Sequence, residues 1–209
     1  MARYERKDHL HQRAKKEGLR SRAAYKLEEV QKQFKLLKKG QRVVDLGCWP
    51  GGWLEAAAAL VGPKGAVAGV DRAEVDPPIA AKNGMAFVGD LEDADCAARL
   101  LAALDEIAPN REGVDVVLSD AAPKLTGVRE TDRANEERLL EAIEVLLPKL
   151  LVPGGSLLIK ILEGPEAAEI DRRMRKSFAK AKTVKLQSTR KGSTERYLVA
   201  REYRGAEGA

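Results

Sequence analysis

Asp45-Leu46-Gly47-Cys48-Trp49-Pro50-Gly51-Gly52-Trp53 follows directly on the apolar pair Val43-Val44 and runs into the alanine-rich stretch Leu54 to Leu60. It reads as a buried strand, a glycine-rich turn and a helix. Glycines at such a turn let the backbone bend tightly and come close to a ligand, and the helix start beyond offers unpaired N–H groups. The acid at the strand end, Asp45, suits a cationic or hydroxyl-bearing ligand better than a pyrophosphate. S-adenosylmethionine, with its zwitterionic amino acid head and its sulfonium, is such a ligand. The spacing Gly47-x-x-x-Gly51-Gly52 also departs from the G-x-G-x-x-G of dinucleotide folds.

Outward from that turn, strand-like segments recur at Arg42–Leu46, Ala66–Asp71, Met85–Gly89, Val114–Ser119 and Ser156–Ile161. Helical patterns lie between them: Ala97, Leu100, Leu101, Leu104 and Ile107 share one face, as do Leu139, Leu140, Ile143, Leu146 and Leu147. This alternation predicts an α/β, Rossmann-like fold with a mostly parallel sheet and helices on both faces. Two late segments, Thr183–Gln187 and Glu195–Glu202, predict an antiparallel hairpin at one edge. A further helix is expected from Ser21, with Ala23, Leu27, Val30 and Phe34 at helical spacing and Gly40 as its end. Residues 1–18 read as a basic, mobile segment without an apolar stripe, 19–204 as one domain and 205–209 as a tail.

In open sheets of this kind ligands sit beyond the carboxyl ends of the strands. Asp45, Asp71, Asp90, Asp120 and Lys160 all fall there. Lys160 closes the apolar run Leu157-Leu158-Ile159, where an ammonium is costly unless it is paired or reaches water. A chemical role explains it better than packing does. Asp71 suits ribose hydroxyls, although dinucleotide sites use the same device. Asp90 can equally cap a following helix, and Trp53 can equally be core.

Net charge is +5, but residues 1–42 carry +9, residues 43–171 carry −13 and residues 172–204 carry +10. Two basic ends around an acidic middle point to a polyanionic partner such as RNA. Arg20, Arg22, Lys39, Arg190 and Lys191 are the candidate RNA contacts. The two histidines, His9 and His11, lie in the polar N-terminal segment, and no metal site is expected from them. Cys48 and Cys96 are far apart and read as reduced thiols, in keeping with a cytoplasmic protein. No apolar run reaches membrane-spanning length.

The chain resembles the FtsJ/RrmJ family of S-adenosylmethionine-dependent RNA ribose 2′-O-methyltransferases, whose bacterial member modifies a uridine of 23S ribosomal RNA. The landmarks, in family order, begin with Gly18-Leu-Arg-Ser-Arg-Ala-Ala-Tyr-Lys26-Leu and Asp45 to Trp53. Val70-Asp71, Gly89-Asp90 and Leu118-Ser-Asp120-Ala-Ala-Pro123 follow, then Pro153-Gly-Gly-Ser-Leu-Leu-Ile-Lys160 and Ser193-Thr-Glu195-Arg-Tyr-Leu-Val-Ala. The resemblance implies a Lys26, Asp120, Lys160, Glu195 catalytic tetrad and S-adenosylmethionine contacts at Gly51, Trp53, Asp71, Asp90 and Asp120, beside the turn residues Asp45 and Gly47. Lys160 is then the expected base, and Lys26 orients the hydroxyl. Asp120 holds the Lys160 ammonium, while Glu195 anchors Lys26 or the ribose. Cys48-Trp49 stands where the family has two small residues.

The expected partner is ribosomal RNA or the large ribosomal subunit, met by a monomer. A related enzyme acting on transfer RNA or an RNA cap, a non-catalytic RNA-binding assembly protein and a small-molecule methyltransferase remain alternatives. The intact tetrad speaks against the second, the basic ends against the third.

Overall fold

The structure is a computed structural model that describes residues 9–123, 126–161, 165–189 and 192–205. Along the chain it forms α1 (His9–Lys16), α2 (Ala23–Phe34), β1 (Arg42–Leu46), α3 (Gly52–Val61), β2 (Ala66–Asp71), β3 (Gly84–Val88) and α4 (Cys96–Ile107). There follow β4 (Val114–Ser119), α5 (Arg129–Leu150), β5 (Leu151–Ile161), α6 (Pro165–Lys176), β6 (Phe178–Val184) and β7 (Arg196–Tyr203). Seven strands make one sheet in the order β3-β2-β1-β4-β5-β7-β6. The first five pair in parallel, and β7 runs antiparallel to both β5 and β6.

The central strands are buried on both faces, which is why β1 and β2 read as continuous apolar runs. Leu100 and Leu104 of α4, Ile143 and Leu147 of α5, and Ile170 and Met174 of α6 fill one side. Leu27 and Val30 of α2, with Leu54, Ala57 and Val61 of α3, fill the other. Strand order reverses between β1 and β4, and a crevice opens at their carboxyl ends, as the topology requires. Among the described residues no helix is long and apolar enough to cross a membrane. Cys48 and Cys96 are both free and buried.

Several boundaries differ from the sequence expectation for visible reasons. Helix α2 stops at Phe34, short of Gly40, because Lys35 turns left-handed (φ 51°). The Gln31 side chain then binds both the N–H and the carbonyl of Leu37 at 2.8 Å, fixing the exit of the chain. Helix α5 begins earlier than its apolar stripe. Asp132 accepts from the Thr126 and Gly127 amides and the Thr126 hydroxyl, anchoring a polar first turn.

Helix α6 was missed because it carries few apolar residues, of which Ile170 and Met174 are buried. Residues 9–16, expected to be mobile, form a helix. Ala14 is buried, Tyr25 donates to Glu17 at 2.7 Å, and the Arg13 guanidinium lies 5.1 Å from the Tyr25 ring centre. Strand β6 spans Phe178–Val184 rather than Thr183–Gln187, so the connection to β7 begins earlier than expected. That connection is held by Glu29 of α2, which accepts from the Gln187 and Ser188 amides and the Ser188 hydroxyl.

The turn after β1 is packed to its limit. Gly47 has φ +77°, and a Cβ there would stand 2.4 Å from the Ala121 Cβ. At Gly40 (φ +82°) a Cβ would meet nothing within 4 Å. Backbone strain alone costs about 1–3 kcal/mol at such positions. Gly47→Ala should therefore lower the thermal midpoint clearly more than Gly40→Ala. Equal shifts in the two unfolding curves would show that the β1 turn and residues 120–121 are not in tight contact.

Candidate active site

A cleft of about 360 Å³ opens at the strand-order reversal, floored by Gly47 and walled by Asp71, Asp90, Ala121, Pro123 and Arg138. Asp71 ends β2, and its two carboxylate oxygens accept from the Trp49 and Ala73 amides at 2.9 Å each. The glycine turn is thereby fixed to the next strand. Asp90 accepts from the Glu92 amide at 3.1 Å and from Arg72 at 2.8 Å. Burial pushes its pKa up, but the amide and the guanidinium outweigh this and hold it below the usual carboxylate range.

Asp45 is 1% exposed, and its Oδ2 has no hydrogen-bond partner. Burial, with the charges of Asp120 and Asp71 added, pushes its pKa well up. Burial, and then Asp45 and Asp71, also raise the Cys48 thiol, so it stays protonated and inert. An orphaned buried carboxyl oxygen, a glycine floor and acids at the ends of β1, β2 and β4 suit a ligand with ribose hydroxyls and positive charge. Among the described residues no group of His, Cys, Asp and Glu could hold a metal ion.

Beside the cleft, over β4, β5 and β7, lies a compact polar cluster. Ser119 donates to the Leu46 carbonyl at 2.8 Å and ties the end of β4 to that of β1, just where the chain leaves the sheet at Asp120. The Asp120 carboxylate accepts from Lys26 Nζ at 3.2 and 3.1 Å and from the Tyr197 hydroxyl at 2.7 Å. Lys26 Nζ also reaches Glu195 Oε2 at 3.2 Å. Lys160 Nζ donates to the Asp120 main-chain carbonyl at 2.6 Å and stands 3.4 Å from Asp120 Oδ1. Both lysines are more than nine-tenths buried. Two ammonium groups thus converge on one carboxylate at the edge of a cofactor-sized cleft.

The model of the FtsJ-like methyltransferase family matches residues 19–203. Ribosomal RNA large subunit methyltransferase E of Methanothermobacter thermautotrophicus is 40% identical over 201 residues, covering 96% of this chain and 92% of its own. The protein of the same name from Acidithiobacillus ferrooxidans is 41% identical over 199 residues, covering 95% and 87%. The crystal structure of a ribosomal RNA methyltransferase from Plasmodium falciparum superimposes with a TM-score of 0.74 at 27% identity, covering 89% of this chain and 99% of that one. Fibrillarin from Aeropyrum pernix, solved with natively bound S-adenosyl-L-methionine, shares the fold (TM-score 0.59, 17% identity, 87% and 74% covered).

The chain belongs to the FtsJ-like methyltransferase family.

It is a methyltransferase whose methyl donor is S-adenosylmethionine, and the orphaned Asp45 oxygen, the Gly47 floor and the acid-lined cleft fit that donor.

Within this FtsJ-like site, the four tetrad residues Lys26, Asp120, Lys160 and Glu195 are brought together as described, and Gly47, Asp71 and Asp90 line the cleft. Two expected cofactor contacts lie elsewhere. The Trp53 side chain is core: it is 3% exposed, its Nε1 donates to the Ala23 carbonyl at 2.7 Å, and its ring centre lies 6.1 Å from that of Tyr197. Gly51 is the N-cap of α3, where a Cβ would meet Ile79, Arg20 and Val75, and it is not among the residues that line the cleft.

Two of the expected RNA contacts hold bonds within the protein. Arg20 is a strut, bound to Glu55 at 2.7 Å and to the carbonyls of Pro77 and Pro78 at 2.5 and 2.6 Å, which leaves little of its guanidinium for phosphate. Lys39 precedes β1 and binds the Ala59 carbonyl at 3.1 Å, on the opposite rim of the sheet from the tetrad. Arg22 is half-buried and close enough to offset part of the upward pull on the Tyr197 phenol. Arg190 and Lys191 lie outside the described residues.

Sequence reading missed Tyr197. Its phenol is pushed far up by burial, then by the charges of Asp120 and Glu195, so it only donates. The signal was present: Glu195 and Tyr197 are two apart at the start of a strand and share a face. Arg138 was missed too, because it comes from the polar face of α5, where it pairs with Glu92 at 2.5 Å. Tyr197→Phe removes one hydrogen bond to a carboxylate, a loss on the order of 1.5–3 kcal/mol. We expect kcat to fall by at least about tenfold while cofactor affinity stays within twofold. Steady-state kinetics together with a cofactor titration would reject the role if kcat were unchanged.

Proposed function

We propose that this chain 2′-O-methylates a ribose of large-subunit ribosomal RNA, with a uridine of the 23S molecule as the target, acting as a cytoplasmic monomer. The reading is carried by the junction of Lys26, Asp120, Lys160, Glu195 and Tyr197 at the mouth of the cofactor cleft. Relatives about 40% identical, bearing the name ribosomal RNA large subunit methyltransferase E, support it.

S-adenosylmethionine supplies an electrophilic methyl group on a sulfonium. The remaining work is to hold a ribose hydroxyl in line and to take its proton, and in-line positioning alone is a large share of such a rate gain. Lys160 is the base once its ammonium has released a proton to solvent: the neutral amine, still donating to the Asp120 carbonyl at 2.6 Å, has its lone pair in a fixed direction from which to accept the hydroxyl proton. Lys26, held between Asp120 and Glu195, orients the hydroxyl oxygen and stabilises the negative charge that develops on it. Tyr197 fixes the Asp120 carboxylate, so both lysines are referred to one rigid group. Asp71, on the cleft wall, would hold ribose hydroxyls of the donor, and the buried Asp45 behind the glycine turn would favour its positive charge.

Lys160→Ala should abolish turnover while cofactor and RNA affinities remain within a few-fold of the parent. Methylation of free ribosomal RNA and of isolated large subunits by labelled donor, with the modified position mapped, measures this. Retention of most activity would remove Lys160 from the role of base.

Asp71→Ala tests the cofactor site separately. Loss of hydrogen bonds to a carboxylate at about 1.5–3 kcal/mol each predicts at least a tenfold weaker donor affinity by calorimetry. Equal affinities would place the ribose elsewhere.

A further inference from the structure

Trp49 stands apart from the other aromatic residues of the chain. It is 58% exposed, whereas every other Phe, Tyr or Trp among the described residues is buried or half-buried. The other exposed large hydrophobics, Val88, Val128 and Val145, carry no ring. Trp53, four positions on, gives its ring to the core and its Nε1–H to the Ala23 carbonyl. Trp49 belongs to neither core cluster, and its Nε1–H has no acceptor among the described residues. A tryptophan so placed offers a flat apolar face to a ligand from outside.

The backbone beneath that ring is fixed. The Trp49 amide donates to Asp71 Oδ2 at 2.9 Å, and the Cys48 amide donates to the Val70 carbonyl at 3.1 Å. The Gly51 amide closes the turn on the Cys48 carbonyl at 2.6 Å. The Cys48 side chain is buried against Gly69 of β2, where a Cβ would stand 2.8 Å from its Sγ. Gly52, at the far end of the turn, lies so close to Ser21 that a Cβ there would stand 2.3 Å from the hydroxyl oxygen. On such a turn only the two side-chain torsions of the ring remain to be ordered when it meets a partner.

Its place relates it to the reaction. Trp49 and Asp120 follow the carboxyl ends of the neighbouring parallel strands β1 and β4. Between them Gly47 packs against residue 121: a Cβ on Gly47 would stand 3.1 Å from the Ala121 Cα. At about 3.8 Å between consecutive Cα atoms, that contact brings the Trp49 Cα within about 16 Å of the Asp120 Cα. Lys26 and Lys160, which meet at Asp120, are more than nine-tenths buried. A ribose hydroxyl reaches amines so deep only if its nucleotide is drawn out of the stack of its neighbours. The base next to it then loses a stacking partner, and an exposed aromatic ring on the same rim can take that partner's place.

We propose that Trp49 is the stacking platform for an RNA base adjoining the target nucleotide, and so a residue that positions RNA beside the tetrad. The inference rests on the RNA methyltransferase reading above and deepens it: the partner at this rim is an unpaired base, not the paired stem of a duplex. Every base has a π-face, so the ring contributes affinity and placement rather than choice of sequence. Removing the aromatic ring from such a stack weakens binding by roughly fivefold to 140-fold.

The test uses the full chain and two hairpin RNAs. One carries a uridine in an unpaired loop; in the other, the loop nucleotides on either side of that uridine lack their bases. The chain holds two tryptophans, and with Trp53 buried, a fluorescence change on RNA binding reports Trp49. The intact hairpin should quench the parent and bind it at least about fivefold more tightly than the abasic one. Trp49→Ala should bind the two hairpins equally, Trp49→Leu should match it, and Trp49→Phe should recover most of the difference. All three variants keep the amide that Asp71 accepts, so their affinity for S-adenosylmethionine should stay within about twofold of the parent, which also verifies that they are folded. If Trp49→Ala still discriminates between the hairpins, or Trp49→Leu recovers as much as Trp49→Phe, the platform is overturned. Full quenching by S-adenosylhomocysteine alone overturns it too, because the ring would then cover the donor. Methyl transfer to free ribosomal RNA and to isolated large subunits separates the two readings. A parent that methylates neither, while Trp49 still discriminates between the hairpins, would sink the proposed function and leave the platform standing. Methylation with the same KM for the parent and Trp49→Ala would do the reverse.

Discussion

Asp120 is the group on which the site depends. Its carboxylate receives Lys26 and Tyr197, and its carbonyl receives Lys160, so a helix and two strands converge on one residue just past the end of β4. A carboxylate so placed lets two ammonium groups stay buried in one small volume, where unpaired charge would be too costly to keep. The Ser119 hydroxyl, bound to the Leu46 carbonyl, sets where the strand is released and hence where Asp120 points. Around this hub Lys26, Lys160, Glu195 and Tyr197 are held in one cluster beside the cleft.

The acids of the rim are differentiated by their surroundings. Asp90 meets an arginine and an amide and stays ionised, whereas Asp45 meets only burial and two neighbouring carboxylates. Proximity of like charges and low polarity favour the neutral form of Asp45 until a cation arrives beside it. The cleft therefore offers fixed negative charge at Asp90, with the buried acid Asp45 behind the glycine turn.

Much of this was legible in the sequence. Strands β1, β2 and β4 keep their expected limits because buried parallel strands are short apolar runs bounded by turn residues. The tetrad was legible through motif resemblance, and Lys160 through the oddity of a lysine closing an apolar strand. What escaped depended on tertiary contacts that have no local signature. Arg20 reads as a surface cation until Glu55 and two proline carbonyls are folded around it. Trp53 in a ligand-binding turn and Trp53 in a core are the same letter; only the Ala23 carbonyl distinguishes them. Helix α6 buries too few apolar side chains to announce itself, and the polar first turn of α5 is helical because Asp132 anchors it.

The insertion of β7 between β5 and β6 has a consequence for the chain as it is synthesised. Every cleft-lining residue comes from positions 47–142, and Lys26 precedes them, but Glu195 and Tyr197 arrive nearly last. Their partners lie 169 and 77 positions away in sequence, and β6, although made earlier, has no neighbour in the sheet until β7 emerges. Contacts of such long range form late, once the loops that join them have closed. A nascent or truncated chain could therefore complete the donor cleft without completing the centre beside it. Assembly of the cluster around Asp120 is thus coupled to the finished carboxyl-terminal hairpin.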